Sequence, residues 1–210
     1  MELISHTFAF SETLVAPAGA IEYVVGADGL YLRAGRSGMS VVGQLAAAPV
    51  RGLAEIRPTF TLTVPPVPPA YLFQFLMHSV RACDEHGRQI EALAYLAHTD
   101  GRWAIHYPDV VATATSVRPV EEYPEGYEDA LVEIHSHHSM AARFSPTDDV
   151  DEVGFRIYAV VGSLGSSRPE IAVRLGVYGY FFELPADAVF EQAGAVMDLV
   201  ASLVPNGGSR

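Results

Sequence analysis

Three histidines fall within four residues of this chain, at His135, His137 and His138. They follow the apolar run Ala130–Ile134, which predicts a strand. Because side chains two residues apart on a strand point to the same face, the imidazoles of His135 and His137 can converge on one metal ion. The sequence therefore indicates a metal site at the end of this strand.

A helix start downstream supplies a third candidate ligand. Ser145 suits the N-cap, Pro146 the first helical position and Asp148 the third, which is the order of a capping box. A helix beginning there can turn the Asp148 carboxylate back toward the histidines. Two imidazoles and one carboxylate favour zinc, one ion per chain, with an open fourth position for water. Capping alone also explains this order, and ligation by Asp148 then requires that its carboxylate leaves the backbone.

Composition narrows the class of protein. Half of the 210 residues are hydrophobic, and the formal net charge is −12. Acidic balance argues against non-specific nucleic-acid binding and against docking on anionic membranes. The chain has no run of about 18 uninterrupted apolar residues and no secretory signal pattern, so we expect neither a membrane span nor a signal peptide. The single cysteine, Cys83, excludes an internal disulfide and a Cys-rich zinc site, and a cytoplasmic location is expected.

The chain is expected to divide at the proline-rich segment Pro65–Pro69, which we interpret as a stiff connector. Residues 1–65 are rich in strand and turn signals, including a hairpin of Ile21–Val25 and Leu30–Arg33. Residues 66–187 form the main domain. Residues 188–210 are expected to hold an amphipathic helix, within Ala188–Val204, and a tail.

The main domain mixes helix and strand signals. A helix is expected over Tyr71–Glu85, with Cys83 buried and inert on its apolar face. The remaining elements are strands, and their order predicts a mixed α/β (α+β) fold. We expect a hairpin of Ile90–Leu96 and Trp103–Tyr107, single strands at Val110–Val117, Ala130–His135 and Ile157–Gly162, and one or two more within Ile171–Leu184.

The spacing His-x-His, seven residues, Ser, two residues, Asp resembles the signature of the JAMM/MPN⁺ (JAB domain) zinc metalloproteases, and the likeness covers roughly Tyr71–Leu184. The resemblance implies a cytidine-deaminase-like β-sheet flanked by helices. It implies that His135, His137 and Asp148 hold Zn²⁺.

The same resemblance implies a catalytic glutamate after the first helix. Glu91 occupies that position, and Glu85 is the alternative. Glu91 would act as general base and then general acid, while Ser145 would stabilise the oxyanion. The implied reaction is hydrolysis of an amide, often an isopeptide bond or a peptide bond after a ubiquitin-like tail. The expected partner is thus a protein or peptide substrate.

This chain departs from the family pattern within the histidine cluster. The family usually has proline after the second histidine, where this chain has His138, which leaves open which histidines bind metal. A narrower resemblance, to the bacterial JAB-type protein A of the ParB-related, ThiF-related cassette, rests on Phe144–Asp149, Val160–Leu164 and Arg174–Gly179 and on the β-rich N-terminal extension.

Two functions from different classes remain at this point. One is a zinc hydrolase. The other is an MPN-fold scaffold or binding module that is non-catalytic or is autoinhibited by residues 1–65. The complete set of candidate ligands favours the enzyme.

Overall fold

A computed structural model describes residues 3–14, 20–191 and 197–198 of the chain. The chain divides into two compact units, Met1–Pro65 and Pro66–Arg210. Among the described residues, no helix has the length and apolar character needed to cross a bilayer.

The first unit is a β-sheet. Side chains along its strands alternate between buried and more exposed positions. A hydrophobic cluster is formed by Ala9, Val24, Tyr31 and Ile56. The predicted hairpin of the second and third strands is confirmed. In the described residues the sheet has the order β1-β2-β3-β4-β5, with β1 (Ile4–Phe8) parallel to β2 (Ile21–Gly26) and the rest antiparallel: β3 (Gly29–Arg36), β4 (Met39–Ala47) and β5 (Thr59–Leu62).

The second unit opens with helix α1 (Pro69–Arg81). Pro69 stands in the first turn, where its missing N–H is tolerated, and the buried face repeats at helical spacing. The helix ends before the predicted Glu85, because Ala82 is extended and its N–H donates to the Ser79 carbonyl. Cys83 therefore lies beyond the helix and is exposed, so the prediction of a buried thiol is wrong.

Two hairpins follow α1. The first, β6 (Leu93–Thr99) with β7 (Arg102–His106), matches the predicted hairpin. The second joins β8 (Val110–Ala112) to β9 (Val117–Pro119), where a single strand was predicted. The chain reverses there because the Thr113 N–H donates to the Ser116 carbonyl at 2.8 Å and the two hydroxyls also bond.

The remaining elements are β10 (Ala130–Ser136), α2 (Pro146–Asp151), β11 (Arg156–Gly162), β12 (Glu170–Val177), β13 (Tyr180–Leu184), a 3-10 helix (Ala186–Ala188) and β14 (Met197–Asp198). Within the described residues the sheet has the order β13-β12-β11-β10-β6-β7, with β14 beside β12. Strands β10 and β11 are parallel, and β6 is antiparallel to β10. The chain is thus mixed α/β and rich in strands.

The C-terminal prediction is wrong where it can be compared. Ala186–Ala188 is one 3-10 turn, and Met197–Asp198 pairs as a strand with β12. A regular helix cannot contain a strand pair. The rest of the predicted helix, residues 192–196 and 199–204, lies outside the described residues.

The two faces of the second sheet differ in chemistry. Ile134, Ala159 and Val173 are cross-strand neighbours on one face and are fully buried. The neighbouring residues of the same strands, such as Glu133 and Arg174, point to the opposite face, because strand side chains alternate. The polar face carries the candidate site.

Candidate metal centre

Strand register brings the candidate residues together. His135 is paired with Leu93 across the antiparallel β10–β6 ladder. The ladder continues past β6, because the Ser136 N–H donates to the Ala92 carbonyl at 3.0 Å. Side chains alternate along both strands, so His135, His137 and Glu91 all lie on the polar face. The pairing register of β10 and β6 therefore brings these three side chains together.

The two predicted imidazole ligands converge. The Nε2 atoms of His135 and His137 lie 3.1 Å apart. Two imidazole nitrogens that each lie about 2.0–2.1 Å from a tetrahedral zinc are separated by about 3.3 Å. With a carboxylate oxygen of Asp148 they form a group whose atoms all lie within 4.8 Å of one another. The donor set and its spacing fit a single divalent ion.

Asp148 reaches the histidines from the start of α2. The capping box is present: the Asp148 N–H donates to Ser145 Oγ at 3.3 Å, and the Ser145 N–H donates to Asp148 Oδ2 at 2.5 Å. The other carboxylate oxygen, Oδ1, lies 3.5 Å from His135 Nε2. The Asp148 carboxylate therefore lies beside both histidines while Oδ2 keeps its hydrogen bond to the Ser145 backbone, and Oδ2 is also 3.8 Å from His137 Nε2.

Glu91 is buried beside the histidines. Its residue exposure is 3% and its Oε1 lies 3.9 Å from His137 Nε2. Oε1 has no hydrogen-bond partner within the described part of the chain. Burial raises the pKa of Glu91 to about 7, and the negative charge of Asp148 adds to the rise. The alternative glutamate, Glu85, has a side chain that is 86% exposed.

A small cavity adjoins these groups. Its volume is about 40 Å³, enough for an ion or a water molecule. The walls come from two of the candidate ligands, His135 and Asp148, from the β8–β9 turn and from neighbouring carboxylates. Lining residues include His135, Asp148, Glu91, Glu133, Asp151 and Glu152, with Thr115, Ser116 and Val117 on the hairpin side.

The second nitrogen of His135 faces another carboxylate. His135 Nδ1 lies 3.6 Å from Glu152 Oε1. Glu152 Oε2 accepts from the Arg174 guanidinium, at 2.9 Å from Nε and 2.6 Å from Nη2. The Arg174 guanidinium lies over the rings of Phe144 and Phe181, at 4.0 and 3.7 Å from their centroids. Glu152 thus lies near the second nitrogen of His135, the side on which carboxylates accompany metal-binding histidines in known sites.

Sequence analysis assigned no role in the site to Glu152 or Arg174. The available signal was a single arginine inside the apolar run Ile171–Val177. A charge in a buried strand requires a partner, and Arg174 has two, the buried Glu152 and the more exposed Asp149. Burial also lowers the pKa of His135 to about 4, which favours the neutral imidazole that binds metal.

His138 points away from the histidine pair. Its backbone is left-handed, with φ of 43°. Its ring nitrogen Nε2 hydrogen-bonds the carbonyl of Ile90. Of the three histidines, His135 and His137 therefore converge with Asp148, whereas His138 does not join this group.

This fold and this site define a candidate metallohydrolase. Residues 76–176 match the family model described as prokaryotic homologs of the JAB domain. This part of the chain is therefore a prokaryotic JAB domain, and the His135, His137 and Asp148 group is its candidate metal site. A search of curated proteins found no match. The narrower resemblance to protein A of the ParB-related, ThiF-related cassette stays a prediction.

Proposed function

We propose that the protein is a zinc-dependent amide hydrolase of the JAMM type, cleaving isopeptide or peptide bonds after a ubiquitin-like or otherwise extended protein tail. The observation that carries the proposal is that the His135, His137 and Asp148 group lies on one sheet face with the buried Glu91 carboxylate, whose Oε1 has no hydrogen-bond partner among the described residues. We infer with it the cytidine-deaminase-like sheet that the family resemblance implies.

The metal would be held by His135 Nε2, His137 Nε2 and Asp148 Oδ1. A zinc ion in such a site supplies Lewis acidity and a bound water whose pKa is about 7. The adjoining cavity of about 40 Å³ offers room for that water. The protein contributes the orientation of the ligands, through the β10–β6 register and the α2 cap.

Glu91 is the proposed general base and acid. It would accept a proton from the attacking water and pass it to the leaving amine. A group whose pKa lies near the working pH does both efficiently, and burial raises the pKa of Glu91 to about 7. Because no other described group bonds its Oε1, that oxygen is free to take the proton.

Ser145 is the proposed oxyanion donor. A hydroxyl has one proton to donate and two lone pairs that accept. Ser145 Oγ already accepts the Asp148 N–H, so its own proton remains for an oxyanion that develops beside the metal. Helix capping and donation to an oxyanion are therefore compatible in Ser145.

The charge around the site bears on the substrate. Carboxylates dominate the cavity wall, and the whole chain has a net charge of −12. A neutral or basic polypeptide segment suits such a surface, whereas nucleic acid and anionic lipid do not. An extended tail could add its backbone to a strand edge beside the cavity, near the β8–β9 hairpin.

The test combines metal content with hydrolysis. We expect about one zinc per chain by mass spectrometry and cleavage of fluorogenic peptide amides that end in Gly-Gly before the leaving amine. Glu91→Gln should keep the zinc and lose hydrolysis, whereas His137→Ala should lose the zinc. Glu85→Gln is the matched control, because Glu85 is exposed, and it should behave as the unaltered protein.

Three results would count against the enzyme. Full activity in purified Glu91→Gln contradicts the base assignment. Absence of zinc in the unaltered protein contradicts the metal site. Stoichiometric zinc without hydrolysis of any peptide amide favours the alternative, an MPN-fold scaffold or an autoinhibited binding module.

A further inference from the structure

Two residues of the segment 135–138, Ser136 and His138, do not face the candidate metal site and instead bond the backbone on either side of Glu91. Ser136 Oγ accepts the Ala92 N–H at 2.9 Å, and the Ser136 N–H donates to the Ala92 carbonyl. His138 Nε2 bonds the carbonyl of Ile90, on the other side of Glu91. Both side chains are buried. Along residues 135–138, metal-facing and Glu91-holding side chains therefore alternate.

The hydrogen-bond partner of His138 determines which nitrogen of its ring carries the proton. A carbonyl oxygen only accepts, so Nε2 must carry the proton and donate it to Ile90. Within the described part of the chain, Nδ1 of the same ring is buried without a hydrogen-bond partner. With Nε2 engaged on the backbone, the ring acts as a donor to the Glu91 segment.

The backbone of residue 138 supports this use of the ring. Its φ of 43° is in the left-handed region, which costs free energy for a residue other than glycine. Proline, locked near −65°, cannot adopt it. The carbonyl of His138 accepts the Leu164 N–H at 2.7 Å, which holds the strained residue in place and aims the ring back at Ile90.

The backbone matters for the position of the Glu91 carboxylate. Oε1 has no hydrogen-bond partner in the described residues, so packing around this buried side chain and the placement of its backbone hold that oxygen. That backbone is held at the Ile90 carbonyl, at the Glu91 N–H, which donates to Thr113 at 2.8 Å, and at Ala92. A displacement of about 1 Å in such a group can cost about 10²-fold in rate.

We propose that His138 is a positioning residue for Glu91: its imidazole fixes the Ile90 carbonyl and so holds the Glu91 carboxylate facing the histidine pair. The proposal rests on the proposed function for its catalytic consequence. Its structural content, that the ring restrains residues 90–92, stands independently of any substrate.

The test uses three variants of the full chain. His138→Gly removes the donor and also relieves the positive φ, so a loss cannot be attributed to added strain. His138→Asn tolerates that φ but is too short to reach Ile90, and it serves if the glycine variant folds poorly. His138→Gln places an amide N–H donor at a similar reach and should restore the contact. His86→Gln is the control, because His86 is exposed and lies in a turn outside the site.

The first readout is hydrogen exchange of the Glu91 and Ala92 amides in protein treated with chelator. Loss of one hydrogen bond should speed their exchange about tenfold relative to Ala159, in the middle of β11, and His138→Gln should restore it. A general loss of stability would speed all three amides together. Unchanged exchange at Glu91 and Ala92 in both His138→Gly and His138→Asn overturns the proposal.

The second and third readouts separate this inference from the proposed function. Zinc affinity should stay within about threefold in every variant. A loss of tenfold or more in all three would make His138 a ligand and overturn the proposal. With the Gly-Gly fluorogenic amide, kcat should fall about 10²-fold in His138→Gly at nearly constant KM and recover in His138→Gln. If the unaltered protein cleaves no such amide, the proposed function fails, while the exchange and zinc results still decide the role of His138.

Discussion

The Arg174–Glu152 pair should be the most sensitive electrostatic contact of the second unit. The side chains are 6% and 4% exposed, and the guanidinium donates to Oε2 through Nε and Nη2. Arg174→Met keeps most of the apolar stem but leaves Glu152 buried without its cation. Removing one partner of such a pair costs about 3–5 kcal/mol where the remaining group stays ionised in a medium of low dielectric constant. Burial raises the pKa of Glu152 to about 8 even beside Arg174, so near pH 7 this carboxyl takes up a proton, and the loss is expected at alkaline pH.

The measurement is urea unfolding in the presence of chelator at about pH 9, above the pKa of Glu152, followed by tryptophan fluorescence. Trp103 is the chain's single tryptophan and lies in β7, so the signal reports the second unit alone. We expect Arg174→Met to lower the free energy of unfolding by about 3–5 kcal/mol at an unchanged denaturant dependence. The double variant with Glu152→Gln should recover most of this loss, because no uncompensated charge remains buried.

The exposed pair Arg88–Asp84 provides the matched control. Its side chains are 76% and 22% exposed, and a surface ion pair contributes at most about 1 kcal/mol. Arg88→Met should therefore have little effect. A loss below about 1 kcal/mol in Arg174→Met, or simple additivity in the double variant, would refute the reasoning that burial sets the cost.

The remaining predictions concern the loop, the cap and the metal. Gly162→Ala should lower the free energy of unfolding of the second unit by about 1–3 kcal/mol in the same assay, because the added Cβ would lie 2.4 Å from both Ala142 N and the Met140 carbonyl oxygen. Unchanged stability would show that the Met140–Ala142 loop shifts to accommodate the methyl group at little cost. Ser145→Ala should cost about 1 kcal/mol through the lost cap and leave zinc affinity nearly unchanged, and a large affinity loss would make Ser145 part of the metal site. Free zinc at 100 times its dissociation constant should stabilise the protein by about 2.7 kcal/mol, whereas His135→Ala should show no such gain in the same titration.

Much of the site could be predicted from local sequence. The His-x-His pair and the Ser145–Asp148 cap are short-range patterns, because strand alternation and helix capping operate over two to four residues. The structure contains both, and it brings the three predicted ligands within reach of one ion. Local periodicity also predicted the hairpins β2–β3 and β6–β7.

Elements whose ends depend on longer-range contacts were predicted less well. The end of α1, the split of Val110–Val117 into two strands and the strand at Met197–Asp198 all differ from the local pattern. Besides the local turns, the Ala82 carbonyl accepts from the Ile90 N–H and the Thr113 carbonyl from the Glu91 N–H, and Met197–Asp198 pairs with β12. These bonds to segments further along the chain compete with local preference. A single sequence does not display those partners.

The sequence by itself determined which side chains can bind a metal, because ligand type and spacing are local properties. Only the tertiary structure decided what surrounds them. Glu91 is far from the histidines along the chain, and the pairing register of β10 and β6 places it beside His137. The same fold aims His138 at Ile90 and places Glu152, held by Arg174, behind His135. These relations depend on pairing between distant segments, and burial then sets the charge state of the groups that meet there.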